Sequence, residues 1–479
     1  MSTDDVGRAV TRRDAAATAT RRTRRDRARR RRFTAALAAV LGVLVLIGAG
    51  AGAALAVQGP RVTAEQFDPA AAVTSAGARM IFTMSQALHD VEPAQVSVEP
   101  EVPVTVATSG RSVGLRFGTP LYDDTEYTVT ISGITGVGGG PAATVSRTFR
   151  TPALEVYVMR RGEDADTVYR SPLDGEGAEA LFSHPHIEDF RATATALVAS
   201  TRDEDDRPQL IVTAPDGSGA RTLPLPAEDG TIAALQSADR GDVIGYTWTD
   251  ADMSADGARA SVLYTASVKP ADADAEPVPV TSGGEPVSAI AWRFVPETDR
   301  VLVLSFDGRL LLTGPGEEDA VDLGDAAGIL GIARGTTTAI IQRVDGLYRL
   351  DLSDGTAEPL ALADADGYVG AVVPLPDGDT LQQVTVAGAS TVYRASPGGA
   401  AQEVFGVTGS DALLQVCVSP SGRYGAFLVQ PDAASNPYRT GYDLPLPETL
   451  DTHVVDLDDG SEVSVLAAFG ISWCQVAPA

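Results

Sequence analysis

The side chains most suited to chemistry in this 479-residue chain are its four histidines. His184 and His186 flank Pro185, so this short segment could offer two imidazole ligands to a metal ion. The segment also fits an ordinary loop with acidic neighbours, and His89 and His453 lie far from it in the sequence. We favour the loop, and we predict no metal site and no cofactor.

The motifs of common enzyme classes are not found in the sequence. There is no HExxH, no GxSxG, no P-loop and no GxGxxG placed before a helix. Acid-rich segments at 203–206, 250–256 and 272–276 could bind calcium, but none has the EF-hand spacing that ends in Glu. Solvated loop carboxylates are the favoured interpretation. No residue can therefore be assigned a catalytic role.

One long segment, Pro431 to Asp451, combines residue types that favour contact with a partner. It contains Tyr438, Arg439 and Tyr442, and both tyrosine and arginine are frequent at binding hot spots. Long ordered loops on a rigid scaffold are often binding sites, while a disordered or merely capping insertion is the alternative. These three side chains form the candidate binding site.

The chain has the composition of a folded protein, with 44% hydrophobic residues, 21% charged residues and 2 Cys. The length allows about two to four domains, so a small disulfide-stapled or zinc-dependent scaffold is excluded. Residues 1–32 hold twelve Arg and four acids, which leaves 25 basic and 60 acidic residues, a charge of −35, in the remainder. Because so acidic a body repels phosphate, nucleic acid is excluded as its partner.

An uncharged apolar segment, residues 33–57, follows the arginine cluster at 29–32. Its 25 residues are long enough to cross a bilayer as a helix, and the arginines would keep residues 1–32 in the cytoplasm. A cleaved signal peptide, with a small-residue site at 54–56, is the alternative. No Cys lies in or just after the segment, which excludes a lipoprotein anchor. We therefore predict a single-pass protein of the cell membrane whose C-terminal domains are extracytoplasmic.

Residues 60–152 contain short runs in which apolar residues occupy every second position, as in Val113, Leu115 and Phe117. This period is typical of half-buried antiparallel strands, and about six or seven of them predict a small β-sandwich. The stretch LYDDTEYTVTISG at 121–133, with its closing strand, resembles the bacterial Ig-like domain of surface-layer and other exported proteins. The resemblance implies a spacer or adhesion unit without catalytic residues.

Residues 153–479 contain an internal repeat. A strand, a Gly or Asp turn and a second strand recur seven times, about 40 to 60 residues apart, as around Asp354-Gly355. A second hairpin lies between the copies, and four antiparallel strands at this period are typical of a β-propeller blade. Because the first copy begins at Glu155 without an innermost strand, the segment 471–476 is predicted to supply one and close the ring.

The predicted fold is therefore all-β, an Ig-like β-sandwich plus a seven-bladed β-propeller, preceded by one transmembrane helix. The turn SPSGRYGAFLV at 419–429 resembles the repeat of TolB-like or WD-repeat-like propellers, from which the other copies have diverged. The many Arg, Ala and Asp residues, with Lys269 as the single lysine, resemble the usage of high-GC actinobacteria. These resemblances imply an exported protein between the membrane and the cell wall.

The two cysteines fall on neighbouring parts of the predicted ring. Cys417 lies on the innermost strand of the last blade, and Cys474 lies on the closing strand beside it. In an oxidising compartment they would form a disulfide across this seam. Two buried free thiols, packed as small apolar side chains, are the alternative.

The sequence favours a non-enzymatic function: a membrane-anchored extracytoplasmic binding or scaffold protein of the cell envelope. The propeller would bind an envelope protein, a peptide or a glycan, and the segment 33–57 would contact the membrane. The alternative is an envelope hydrolase or lyase with its site at the mouth of the propeller channel, because a propeller can bring carboxylates from distant blades together.

Overall fold

The computed structural model describes residues 32–47, 59–315, 317 and 319–478. The first of these segments is a helix, α1 (32–47), whose apolar side chains, such as Phe33 and Leu46, are exposed. No helix among the described residues is both long and apolar enough to span a membrane. Residues 1–31 of the predicted tail and 48–57 of the predicted span lie outside the described residues.

Residues 59–152, called here the N-terminal unit, form two antiparallel sheets with strand orders β1-β2-β5-β4 and β3-β6-β7. A short helix, α2 (Pro69–Thr74), begins at Asp68, whose carboxylate accepts the N–H groups of Ala70 and Ala71. A 3-10 turn covers Pro93–Gln95. The strands are β1 (Val62–Gln66), β2 (Arg79–Met84), β3 (Val96–Glu99), β4 (Val104–Ser109), β5 (Ser112–Phe117), β6 (Glu126–Ile134) and β7 (Ala143–Arg150).

One apolar core lies between these two sheets. Phe82 from β2 and Leu115 from β5 share a buried cluster with Val129 and Ile131 from β6. Successive side chains of a strand point to opposite faces, so the apolar alternation in the sequence becomes the buried face of each sheet. The two sheets thus share one core, while the Ig-like β-sandwich stays a prediction.

In residues 155–478, apart from 316 and 318, the structure describes seven successive antiparallel sheets and a two-stranded extension. A 3-10 turn covers Pro270–Asp272. Blades 1 to 3 contain β8 (Glu155–Arg160), β9 (Asp166–Pro172) and β10 (Glu179–His184); β11 (Ile187–Ala192), β12 (Leu197–Arg202), β13 (Pro208–Thr213) and β14 (Arg221–Leu223); and β15 (Gly230–Ser237), β16 (Val243–Asp250), β17 (Val262–Ser267) and β18 (Val278–Pro279), extended by β19 (Thr281–Ser282) and β20 (Glu285–Pro286).

The remaining four blades each have four strands in sequential order. Blades 4 and 5 contain β21 (Ala289–Phe294), β22 (Val301–Ser305), β23 (Arg309–Thr313) and β24 (Val321–Asp325); and β25 (Gly328–Ile332), β26 (Thr338–Arg343), β27 (Gly346–Asp351) and β28 (Ala357–Pro359). Blades 6 and 7 contain β29 (Tyr368–Pro374), β30 (Thr380–Val386), β31 (Ala389–Ala395) and β32 (Ala401–Val407); and β33 (Ala412–Val418), β34 (Tyr424–Gln430), β35 (Asp451–Asp456) and β36 (Glu462–Leu466).

The apolar cores of this domain lie between neighbouring blades. Leu263 of blade 3, for example, packs in one cluster with Trp292 and Val303 of blade 4. A sheet with both faces covered in this way buries apolar residues on both sides, which explains the continuous apolar runs of its central strands. The predicted all-β class and β-propeller are confirmed.

The ring closes where the end of the described chain meets blade 1. Met159 and Phe469 exchange two backbone hydrogen bonds, of 2.8 and 2.9 Å, and the N–H of Ser472 donates to the Tyr157 carbonyl at 2.9 Å. The pairing is therefore with β8, as expected, but the predicted strand at 471–476 is wrong. Gly470 has a φ of +65°, and the chain turns after it instead of continuing as a strand.

The propeller has two distinct faces. The face that carries the turns between the first and second strands of blades 2 to 7 is called here the docked face, because the N-terminal unit lies on it. Arg423 of blade 7 pairs with Asp123 of the N-terminal unit at 3.4 Å. Arg240 of blade 3 donates to the carbonyl of Ala76 in the N-terminal unit at 3.2 Å and also pairs with Glu297 of blade 4. The opposite face, with the turns between second and third strands, is called the open face.

Candidate functional site

The predicted binding loop lies on the open face, where residues 431–450 connect β34 to β35. Asn436 fastens its base, since its Nδ2 donates to the carbonyls of Pro431 and Thr449 at 3.0 and 2.8 Å and its Oδ1 accepts the Thr449 N–H at 3.1 Å. Leu446 is buried in the apolar cluster between blades 1 and 2. The segment is therefore ordered, and we call it the clasp.

Tyr442 lies at the tip of the clasp and contacts blade 1. Its hydroxyl donates to the buried carboxylate of Asp166, with distances of 3.0 and 3.1 Å to the two oxygens. Its ring stacks on His186 with centroids 4.3 Å apart, and the Arg161 guanidinium lies 3.5 Å from the ring centre. Burial, and next Asp166, raises the pKa of Tyr442 to about 12, so this phenol is a neutral hydrogen-bond donor.

Further polar contacts join the clasp to blades 1 and 2. Arg439 donates to the Gly162 carbonyl at 2.8 Å. Arg202 pairs with Asp443 at 2.5 Å and with Glu188 at 2.9 Å, and Glu188 also accepts the Asp443 N–H at 2.9 Å. Because the clasp begins and ends on blade 7 but contacts blades 1 and 2, it bridges the seam at which the ring closes.

The structure thus brings together candidates that lie far apart in the sequence. Tyr442 and Arg439 use their polar groups on partners within the chain, and His186 bonds Glu188 at 2.7 Å. Tyr438 donates its hydroxyl to the Oε1 atom of Gln430 at 3.4 Å, and half of its side chain is exposed on the open face. The sequence pattern did not indicate the partner carboxylates, since up to 276 residues separate them from the loop.

The acid-rich loops bind their own backbone. Asp203 accepts the N–H groups of Asp205 and Arg207 at 2.9 Å each, and Asp252 accepts the Ser254 N–H at 2.9 Å. Such contacts stabilise turns. Across the described part of the chain, no group of three or more His, Cys, Asp or Glu side chains is placed to hold a metal ion.

The structure joins Cys417 and Cys474 in a disulfide with a Cα–Cα distance of 5.3 Å. Cys417 lies on β33 of blade 7, and Cys474 follows the segment that pairs with blade 1. Both sulfurs lie in a buried cluster that also contains Trp473. The disulfide therefore links the two sides of the seam near the channel.

One carboxyl group lies on an innermost strand close to the channel. Asp189 of β11 pairs with Arg191 at 2.7 Å and accepts the Phe190 N–H at 2.8 Å. Burial raises the pKa of Asp189, and the neighbouring Arg191 opposes the change. Both contacts are made to the Oδ1 atom of Asp189. Arg191 lies two residues further along the same strand, so the arrangement is a local ion pair.

The open face presents large apolar side chains to solvent on three consecutive blades. Phe306 in a turn of blade 4 is 60% exposed, and Tyr368 on blade 6 is 76% exposed. We call the whole set the open-face patch, and it consists of Ile290, Phe306, Val344, Leu362, Tyr368 and Val386. The patch was not predicted, although Phe306 and Val344 each stand in a tight turn directly before Asp-Gly, where a polar residue is usual.

Acidic side chains and a groove border this patch. Asp307 follows Phe306, and Asp345 follows Val344 in the corresponding turn of blade 5. Beside Phe306 a groove of about 570 Å³ is lined by apolar Leu311, by acidic Glu285, and by Arg309 paired with Asp322. The patch thus combines exposed apolar groups with negative charge.

No family model matches the chain, and no curated protein matches it in sequence. Solved structures match it in form. An uncharacterised protein of Listeria monocytogenes has a TM-score of 0.43 at 10% identity, over 64% of this chain and 90% of that one. TolB from Acinetobacter baumannii has a TM-score of 0.36 at 11% identity, over 80% and 82%. The propeller domain of Cps50 (Swd1) from Myceliophthora thermophila has a TM-score of 0.38 at 12% identity, over 59% and 87%. At these scores the likeness adds nothing to what the strand pairing itself shows.

Proposed function

We propose that this chain is a membrane-anchored, extracytoplasmic binding scaffold of the cell envelope, and that its propeller binds a protein partner on the open face. One observation carries the proposal. The N-terminal unit occupies the docked face, while the opposite face presents Ile290, Phe306, Val344 and Tyr368 to solvent.

Exposure of these side chains is unfavourable unless another surface covers them. Single exposed apolar residues are ordinary on a protein surface, but a group of them on one face favours an interaction site. Phe306 and Tyr368 are also aromatic, and large aromatic groups supply much of the binding energy at protein interfaces. The open-face patch has both properties.

The charge around the patch supports a particular kind of partner. Asp307, Asp345 and Glu285 lie beside it, and the chain beyond residue 32 carries 60 acids against 25 basic residues. Such a surface attracts Lys and Arg side chains and repels phosphate. The proposed partner is therefore a protein that presents an apolar segment flanked by basic residues.

The proposed location is supported by the sequence before residue 58 and by the disulfide. The arginine cluster at 29–32 precedes the apolar segment 33–57, whose described part, α1, has exposed apolar side chains. A disulfide between Cys417 and Cys474 is favoured in an oxidising compartment outside the cytoplasm. The N-terminal unit then acts as an Ig-like spacer that holds the propeller with its open face away from the membrane, and the role is non-enzymatic.

A capture experiment tests this function. The full-length chain, solubilised in a non-ionic detergent, serves as bait for envelope extracts of the source organism. We expect Phe306→Asp combined with Tyr368→Asp to abolish capture of the partner, because charge replaces the apolar contacts. Val137→Asp is the matched control, since Val137 is 61% exposed but lies on the N-terminal unit. Equal capture by both variants would contradict the proposed open-face site.

A further inference from the structure

A cavity of about 290 Å³ lies among the innermost strands of blades 5, 6 and 7 and the segment that closes the ring. Its wall is largely apolar, with Ile329 from blade 5, Val373 from blade 6 and Trp473 from the closing segment. This volume is at the lower end of the range for small-molecule sites. The cavity is separate from the open-face patch, which lies on the surface turns.

The charged side chains in this wall are all positive. Arg293 and Arg334 line the cavity, and no Asp or Glu does so among the residues that the structure describes. This is unusual in a chain in which acids outnumber basic residues by 60 to 25 beyond residue 32. Because Arg293 has no carboxylate partner among the described residues, its charge creates a positive potential in a confined space, and the cavity favours an anion.

Arg334 already has partners, whereas Arg293 bonds only uncharged groups among the described residues. Arg334 donates to the Trp473 carbonyl at 3.3 Å and lies 3.9 Å from Asp239. Arg293 donates to the carbonyls of Trp292 and Ile329 at 2.7 and 3.4 Å. A guanidinium that has no carboxylate partner within the protein can bind the carboxylate of a ligand in a bidentate manner.

A second arginine increases the positive charge behind Arg293. Burial, and next the like charge of Arg191, lowers the pKa of Arg293 to about 10. Arg191 is only 5% exposed, and its Nε and Nη2 groups have no hydrogen-bond partner, although Asp189 pairs with its Nη1. The indole N–H of Trp473 is also buried without a partner. Trp473 lines the cavity, and buried donors are normally satisfied, so its indole N–H indicates a missing acceptor there.

We propose that this cavity binds a small organic anion, a carboxylate carried on an apolar body, with the carboxylate at Arg293. The apolar body would lie against Ile329 and Val373, and a ligand oxygen would accept the Trp473 N–H. A bare phosphate fits less well, because it needs more donors than this apolar wall supplies.

Binding of benzoate to the full-length chain in a non-ionic detergent tests the proposal by calorimetry. We expect benzoate to bind and to raise the melting temperature, while neutral benzamide does neither. Arg293→Gln should weaken benzoate binding by about tenfold or more, because it removes a charge-assisted hydrogen bond. Arg111→Gln, an exposed arginine of the N-terminal unit, is the matched control and should bind benzoate normally.

Two further variants guard against an effect on folding alone. Arg293→Lys keeps the charge and should retain part of the affinity, and Val373→Phe should block the cavity without changing any charge. Equal binding of benzoate and benzamide, or unchanged affinity in Arg293→Gln and Val373→Phe, would overturn the proposal. Tighter binding of inorganic phosphate than of benzoate would overturn the assigned ligand class. None of these results depends on capture of a protein partner at the open face.

Discussion

The hydroxyl of Tyr442 lies 3.0 Å from the Oδ2 atom of Asp166, although 276 residues separate them in the sequence. Asp166 is 1% exposed, and it also accepts the Ile187 N–H at 2.8 Å. One carboxylate therefore joins the clasp of blade 7 to β9 of blade 1 and β11 of blade 2. The clasp and the Phe469 bridge lie at the same seam and stabilise the closed ring together.

Removal of the Tyr442 hydroxyl should destabilise the propeller. In Tyr442→Phe the carboxylate of Asp166 loses a donor in a buried site, so we expect a loss of about 1–3 kcal/mol in the free energy of unfolding. The control is Tyr368→Phe, whose side chain is exposed. Urea denaturation followed by tryptophan fluorescence measures both variants, and similar midpoints for the two would show that the clasp contributes nothing at this contact.

Gly217 should be intolerant of any side chain. It has a φ of +79°, and a Cβ atom there would lie 1.9 Å from the Leu181 carbonyl oxygen on blade 1. Gly219 has a φ of +68° but nothing within 4 Å of the same position. Both alanine variants carry the same backbone strain, so a difference between them reports the steric clash alone. We expect this clash to make Gly217→Ala less stable than Gly219→Ala by about 1–3 kcal/mol. Differential scanning calorimetry checks this, and equal melting temperatures would contradict the close packing of blades 1 and 2.

The disulfide and the closing segment should both support the whole ring. We expect Cys417→Ser combined with Cys474→Ser to lower the free energy of unfolding by about 2–4 kcal/mol. Deletion of residues 471–479 should lower it further, because it also removes the buried Trp473 and the Ser472 contact with Tyr157.

Urea midpoints with and without a reductant measure these effects. The double serine variant is the control for the reductant, to which it should not respond. A deletion variant as stable as the wild type would mean that the ring does not depend on closure at this seam.

The ion pair of Asp250 and Arg259 should make stability depend on pH. Arg259 donates to the two oxygens at 2.6 and 2.9 Å, and the Trp248 indole donates at 2.8 Å. These hydrogen bonds, led by that of Arg259, hold the pKa of Asp250 well below its usual value of 3.8. Because the pKa of Asp250 is lower in the folded chain than in the unfolded chain, its ionised carboxylate stabilises the fold at pH values above the unfolded pKa. This contribution is lost as the pH falls below about 4 toward the pKa of the folded chain.

Asp250→Asn should therefore cost about 1–3 kcal/mol at neutral pH, and its difference from the wild type should narrow below about pH 4. Asp256→Asn, in the exposed loop that follows Asp250, is the control for loss of a carboxylate and should be as stable as the wild type at neutral pH. Thermal melts across the pH range provide the measurement. A constant difference between Asp250→Asn and the wild type down to about pH 3 would show that this carboxylate does not titrate as described.

Much of the fold was predictable because strands with one buried face have a simple period. Val113, Leu115 and Phe117 alternate with polar residues, and they all lie in the core of the N-terminal unit. By contrast, β1 has no buried face that a sequence pattern could mark, because its five side chains are all exposed. The closing strand predicted at 471–476 is wrong because the chain turns after Gly470, and the apolar pattern of that segment does not indicate a turn.

The site was less predictable, because its contacts join residues from distant blades. Tyr442 and His186 were both recognised as chemically suitable, but nothing in their local sequence indicates that their rings stack. The same holds for Arg293 and Trp473, which belong to blade 4 and the closing segment and meet only at the cavity. Ring closure, which places the two ends of the domain side by side, determines which residues become neighbours.

Site-specific crosslinking in living cells tests the open-face site most directly. The photoreactive residue p-benzoylphenylalanine replaces Phe306 on the open-face patch or, as the control, Val137 on the N-terminal unit, because the two side chains are similarly exposed, at 60% and 61%. We predict that irradiation yields a defined protein adduct at position 306 and none at position 137. No adduct at position 306, or the same adduct at both positions, would contradict a protein partner on the open face.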